Sequence, residues 1–136
     1  MILLKHIINF PSYFGSRREK LRDVVFRKIT QYVGSNSITF TGTTAKSGHT
    51  TTTEVGFIDR KITLQSPIKM RCSCESFTYE FLFTTYKNNA LLGDLPKLPS
   101  GKSLMPKKKN PHFVIGTCKH IVKLAQYIQT QRGKIY

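Results

Sequence analysis

The chain has 136 residues, with 22 Lys+Arg against 7 Asp+Glu and a formal net charge of +15. Its 39% of hydrophobic residues suffice for one modest core, and no apolar run is long enough to cross a bilayer, so a soluble, single-domain protein is expected. Three cysteines, two of them one residue apart, argue against a disulfide framework and for reduced thiols that bind metal.

The charge excess needs an anionic partner or surface to offset self-repulsion: nucleic acid, an acidic protein surface or an anionic membrane. Residues 1–15 form an apolar, aromatic arm that ends in Pro11-Ser12-Tyr13-Phe14-Gly15. It lacks the basic start and small-residue cleavage site of a signal peptide. Such an arm is expected to be buried, on its own core or on a neighbouring subunit.

Ser16 followed by Glu19 reads as a capping box, and the spacing predicts a basic amphipathic helix over 17–33. Leu21, Val24, Val25, Ile29, Tyr32 and Val33 form its apolar stripe, and Gly34 ends it. Arg17, Arg18, Lys20 and Lys28 lie on its remaining surface. That surface is either an ordinary solvated face or one that rests on phosphates or a membrane.

From Ser37 the period changes to two. Residues 38–41, 52–58 and 61–64 read as strands, 44–50 as a polar turn, and 69–71 as an extended lead into Cys72. A small antiparallel sheet of about three strands, polar on one face, is expected. Residues 75–86 satisfy both strand alternation and helical spacing; helix is preferred, with Ser76 as a start and Asn88-Asn89 as a stop. Residues 90–115, rich in Pro, Gly and Lys, form a loop too long for an idle connection. Its Gly101-Lys102-Ser103 mimics the end of a phosphate-binding loop, but Pro96 stands where that motif needs glycine. Thr117 is expected to cap a last helix from Cys118 to about Gln131, with Ile121, Leu124, Ala125 and Ile128 buried.

Cys72-x-Cys74 on an extended segment points both sulfurs to one side. Cys118-x-His120 at a helix start places a third thiol where exposed amides favour thiolate. Three thiolates and an imidazole complete a tetrahedral zinc shell, one Zn2+ per chain, with no position left for a substrate. His112 is a weaker substitute ligand, and His6 and His49 are expected to be polar surface. The fold expected is thus α+β: a small antiparallel sheet, an N-terminal amphipathic helix and two further helices, clamped by one zinc. Residues 16–136 form the zinc-binding domain and 1–15 its arm.

The pattern Cys-x-Cys, spacer, Cys-x-His resembles the SWIM zinc finger, matched at Cys72, Cys74, Cys118 and His120, with a spacer longer than that family usually has. The wording Cys72-Ser73-Cys74-Glu75-Ser76-Phe77, then Asn110-Pro111 ahead of Gly116-Thr117-Cys118-Lys119-His120, is similar to small SWIM-like proteins of tailed bacteriophages. That resemblance implies a structural protein of the virion, at a baseplate, neck or capsid interface, made in the bacterial host cytoplasm. Its partners would be other virion subunits, with no membrane and no small-molecule substrate. The alternative is a DNA- or RNA-binding module acting in phage gene expression or genome handling, using Arg17, Arg18, Lys20, Lys28, Lys102, Lys107, Lys108 and Lys109. With so few acids and no paired carboxylates, an enzyme is not expected.

Overall fold

A computed structural model describes residues 2–9, 24–46, 48–59, 61–74, 77, 82–93 and 117–135. The alternating, threonine-rich middle of the chain forms an antiparallel sheet in the order β1-β2-β3-β4. Its strands are β1 (Lys28–Val33), β2 (Ile38–Lys46), β3 (His49–Phe57) and β4 (Ile68–Cys72). Three helices accompany it: α1 (Leu4–Asn9), α2 (Leu82–Lys87) and α3 (Lys119–Ile135). The α+β expectation holds. Two-residue periodicity sets the sheet's faces: Ile38, Phe40, Val55, Phe57, Ile68, Met70 and Cys72 are buried on one. Thr39, Thr41, Thr43, Lys69 and Arg71 point to the other. On the buried face Phe40 meets Phe57 edge to face, centroids 6.2 Å apart, an arrangement the ring quadrupoles favour.

α3 lies over that face and packs on β3, β4 and α1. Its stripe is the expected one, with Ile121, Leu124, Ala125 and Ile128 fully buried. The helix begins one residue later than Thr117 would cap it. The Thr117 hydroxyl is buried without a hydrogen-bond partner among the described residues, while the Cys118 carbonyl accepts from Val122 N at 3.3 Å.

The predicted helix over 17–33 is corrected. Residues 28–33 are strand β1, paired along its whole length with β2. Ile29, Thr30, Tyr32 and Val33 are β-branched or aromatic, and such residues suit a pleated surface better than a helix. Gly34 is a turn residue rather than a helix stop, its N–H donating to the Ser37 carbonyl at 2.8 Å. Residues 17–23, with Arg17, Arg18 and Lys20, lie outside the described residues.

The predicted polar turn over 44–50 shrinks to a tight hairpin, Lys46 opposite His49, turning at Gly48, whose φ of +80° favours glycine. The predicted strand over 61–64 does not form. Thr63 and Ser66 instead close a turn: Thr63 N donates to Ser66 Oγ at 2.8 Å and Ser66 N to the Thr63 carbonyl at 3.0 Å. Hydroxyl side chains that bond nearby backbone compete with sheet ladders. In the ambiguous segment, residues 82–87 are helix α2, closed by Asn89 at φ 55°; residues 75–76, with Ser76, and 78–81 lie outside the described residues.

Two further segments seal β4. Ile68 N donates to the Ile2 carbonyl at 2.9 Å and Met70 N to the Ala90 carbonyl at 2.7 Å. The start of the N-terminal arm is therefore part of the molecule's own core: Ile2, Leu4 and Ile7 are buried. His6 is half-buried, its Nδ1 accepting from Leu3 N at 3.0 Å, whereas His49 is exposed. A second close fit sits on the buried face of β2. A Cβ on Gly42 would come within 2.7 Å of the Phe26 ring, so the missing side chain lets Phe26 lie on the sheet. No helix among the described residues is long and apolar enough to cross a membrane.

If α1 is core rather than an appendage, Leu4→Ala should lower stability by about 2–5 kcal/mol, as for other buried leucines. Urea denaturation measures it; a loss within error of zero would show that residues 2–9 dock elsewhere.

Candidate metal centre

Cys72 is the last residue of β4 and takes its direction from the strand. Strand pairing sets it opposite Thr53 on the buried face, and the Thr53 hydroxyl lies 3.4 Å from its sulfur. Cys74, two residues on, returns to the same side because side chains alternate. The Phe77 N–H donates to Cys74 Sγ at 3.4 Å, folding the chain around that sulfur as it leaves the sheet. Cys118 and His120 come from the other direction, at the first turn of α3. The orphan amides and dipole of a 17-residue helix favour negative charge at this end.

The ligand atoms of Cys72, Cys74, Cys118 and His120 all lie within 4.8 Å of one another. A tetrahedral ion with metal–sulfur bonds of about 2.3 Å would hold its sulfurs about 3.8 Å apart, so slight tightening closes the shell. All three cysteines are free thiols. Cys118 and Cys72 are buried, while Cys74 and His120 are partly covered. The sequence-predicted quartet is thus brought together, and these residues could hold one metal ion.

Two properties of the site fit an ion. His120 Nδ1 is buried with no hydrogen-bond partner among the described residues, a condition that costs about 1–3 kcal/mol and that coordination or its consequences would relieve. The thiols, meanwhile, share protons unevenly. Burial pushes the Cys118 thiol well above its ordinary range, and hydrogen bonds and charge from Cys72 and Cys74 add to this. At Cys72 the bond with Cys118 pulls downward, but the bond with Cys74, burial and the Cys74 charge together push it up to about 12. Cys74 falls far below the ordinary thiol range, because Cys118 and Cys72 bond to its sulfur; burial opposes this, while His120 and the Phe77 amide assist. Neighbouring buried sulfurs of this kind oppose one another's ionisation. Three thiolates need a cation among them.

Sequence reasoning missed Thr53 and Phe77 as supports of the sulfurs. Thr53 reaches Cys72 only through strand register, which no local pattern announces; the Phe77 amide is three residues beyond Cys74, a spacing that could have been noticed. Of the cations expected to touch phosphate, Lys28 is exposed at the start of β1. Arg17, Arg18, Lys20, Lys102, Lys107, Lys108 and Lys109 lie outside the described residues, as does His112. Comparison with protein families, curated proteins and solved structures finds no match for this chain.

Metal uptake must expel the protons held on Cys72 and Cys118, so at least two should be released per ion near neutral pH. Affinity should then climb by about a hundredfold per pH unit and collapse on acidification. Competition with a chromophoric chelator across about pH 6–8 measures the slope, and a flat profile would contradict thiolate ligation. Cys118→Ser should abolish stoichiometric metal binding and detach α3 from the sheet, seen as lost amide protection in both. Unchanged protection would mean that packing alone holds the junction.

Proposed function

We propose that the chain is a zinc-stabilised structural and interaction protein, and, on the resemblance of its ligand motifs, a subunit of a tailed-phage virion. The observation that carries this reading is the completeness of the donor set. Three sulfurs and one imidazole converge within 4.8 Å at the junction of β4 and α3, at the edge of the core. Zinc suits this set best: it accepts thiolate and imidazole together and is satisfied by four tetrahedral ligands. A catalytic zinc keeps a position open for water or substrate. Four protein ligands leave none, and the ion's role is to fasten a strand to a helix.

A site of this kind builds a surface rather than performing chemistry, so function is sought where the domain meets neighbours. In a virion these would be other subunits at a baseplate, neck or capsid interface. The net charge of +15 favours a second reading, contact with DNA or RNA; the two coincide if the protein faces packaged genome. Lys28 and the cations at 17–20 and 102–109 are the candidates for phosphate contact.

Mass spectrometry of purified particles tests the first reading: the protein should be present at fixed stoichiometry, and its absence would overturn the virion assignment. Filter binding of the zinc-loaded protein to duplex and single-stranded DNA tests the second. Phosphate contact predicts affinity falling by orders of magnitude between about 50 and 200 mM salt; no binding at the lower salt would remove it.

A further inference from the structure

The two edges of the sheet differ. At β4 the outward backbone groups are taken up by the chain itself, through Ile2, Ala90 and Leu92. At β1 no such cover exists among the described residues. Exposed strand edges template pairing with another chain, and proteins usually blunt them with proline, bulges or several charges. Over its six residues β1 has no proline and one charge, Lys28, at its very start.

Direction of the free groups follows from register. Gly34 N donates across to the Ser37 carbonyl and Tyr32 and Thr30 stand opposite Thr39 and Thr41, so alternation directs the N–H and C=O of Thr30 and Tyr32 to β2 and turns those of Ile29, Gln31 and Val33 away from it. Tyr32 and Val33 are also unusually bare for their type, 72% and 43% exposed. Ile29 and Val33 point to the core face and Tyr32 to the other.

We propose that β1 pairs with β1 of a second copy of this chain, antiparallel, about a two-fold axis passing between Gln31 and the partner's Gln31. This register makes the free groups of Gln31 bond those of the partner's Gln31, and those of Ile29 bond those of the partner's Val33. It keeps the core faces of both sheets on one side. Ile29 meets the partner's Val33 there, beside a groove of about 500 Å3 lined by Val25, Phe26, Ile29 and Tyr127. On the opposite face Tyr32 packs across the partner's Thr30. Such an isologous contact is self-complementary by symmetry.

Charge also selects this register. Copies that each carry +15 repel, but Lys28 falls beyond the paired segment, opposite the partner's Gly34, so no like charges face each other across the new ladder. The remaining repulsion is long-range and screened by salt. Dimerisation should therefore tighten as ionic strength rises, the reverse of phosphate binding. The interface is small, so the dimer is weak in dilute solution and is reinforced wherever copies are held side by side.

Sedimentation equilibrium of the zinc-loaded full chain, at about 50 and 500 mM salt, tests the proposal. The expected result is a monomer–dimer equilibrium, tighter at the higher salt. Gln31→Pro removes an outward N–H that β2 does not use, which an edge strand tolerates, and should raise Kd at least about tenfold. Circular dichroism and zinc content report whether that variant still folds. Gln31→Cys provides a check independent of it, because the two introduced thiols adjoin on the axis and should form a disulfide-linked dimer under mild oxidation. A monomer at every concentration up to about 1 mM overturns the proposal. So does a dimer indifferent to a folded Gln31→Pro, or one that Gln31→Cys does not cross-link.

Discussion

Three sulfurs and an imidazole nitrogen converge within 4.8 Å where the last strand ends and the last helix begins. On the proposed reading, an ion held there would be the constraint on which the rest of the fold depends. Without a cation, burial and neighbouring sulfurs push the thiols of Cys72 and Cys118 upward, and the buried Nδ1 of His120 lacks a partner among the described residues. Polar groups in this condition weaken a core, since burial without full satisfaction costs more than apolar packing would. With a cation bound, the same groups become the strongest cross-link available to a chain of this size. Structural zinc contributes on the order of 10 kcal/mol or more, comparable with the whole stability of a small domain.

The location of the cluster explains why one ion can matter so much. β4 is the strand on which separate parts of the chain meet: β3 on one side, residues 2–4 and 90–92 on the other. α3 is the only helix among the described residues longer than two turns, and it covers the face that Phe40, Val55 and Met70 present. An ion joining the end of β4 to the start of α3 would fix the cover to the sheet at one point and leave Ile121, Leu124 and Ile128 to pack along the remainder. β1 stands farthest from this clamp. Its Val33, on the core face, is exposed because α3 packs chiefly on β3 and β4.

Much of the site was legible in the sequence, because ligand chemistry is written in residue identity and short spacing. Cys72 and Cys74 alternate to one side, and Cys118 and His120 start a helix whose apolar stripe was plain. The polar turn at Gly48 and the strands on either side were readable from threonine-rich alternation. The helix expected over 17–33 was not, because Leu21, Val24, Val25, Ile29, Tyr32 and Val33 satisfy helical spacing while residues 28–33 have the composition of a strand. Pairing with β2 decides the matter there, and long-range pairing overrides local period. Likewise Thr63 and Ser66 bond their own backbone where a strand was expected, and Thr53 supports Cys72 only through register. Contacts made by register between distant segments leave no local trace.

X-ray absorption at the zinc edge, on protein purified without added chelator, tests the central claim most directly. The account predicts one zinc per chain with about three sulfurs at 2.3 Å and one nitrogen at 2.0–2.1 Å, and no bound water. A shell dominated by oxygen or nitrogen, or a folded protein that contains no metal, would contradict it.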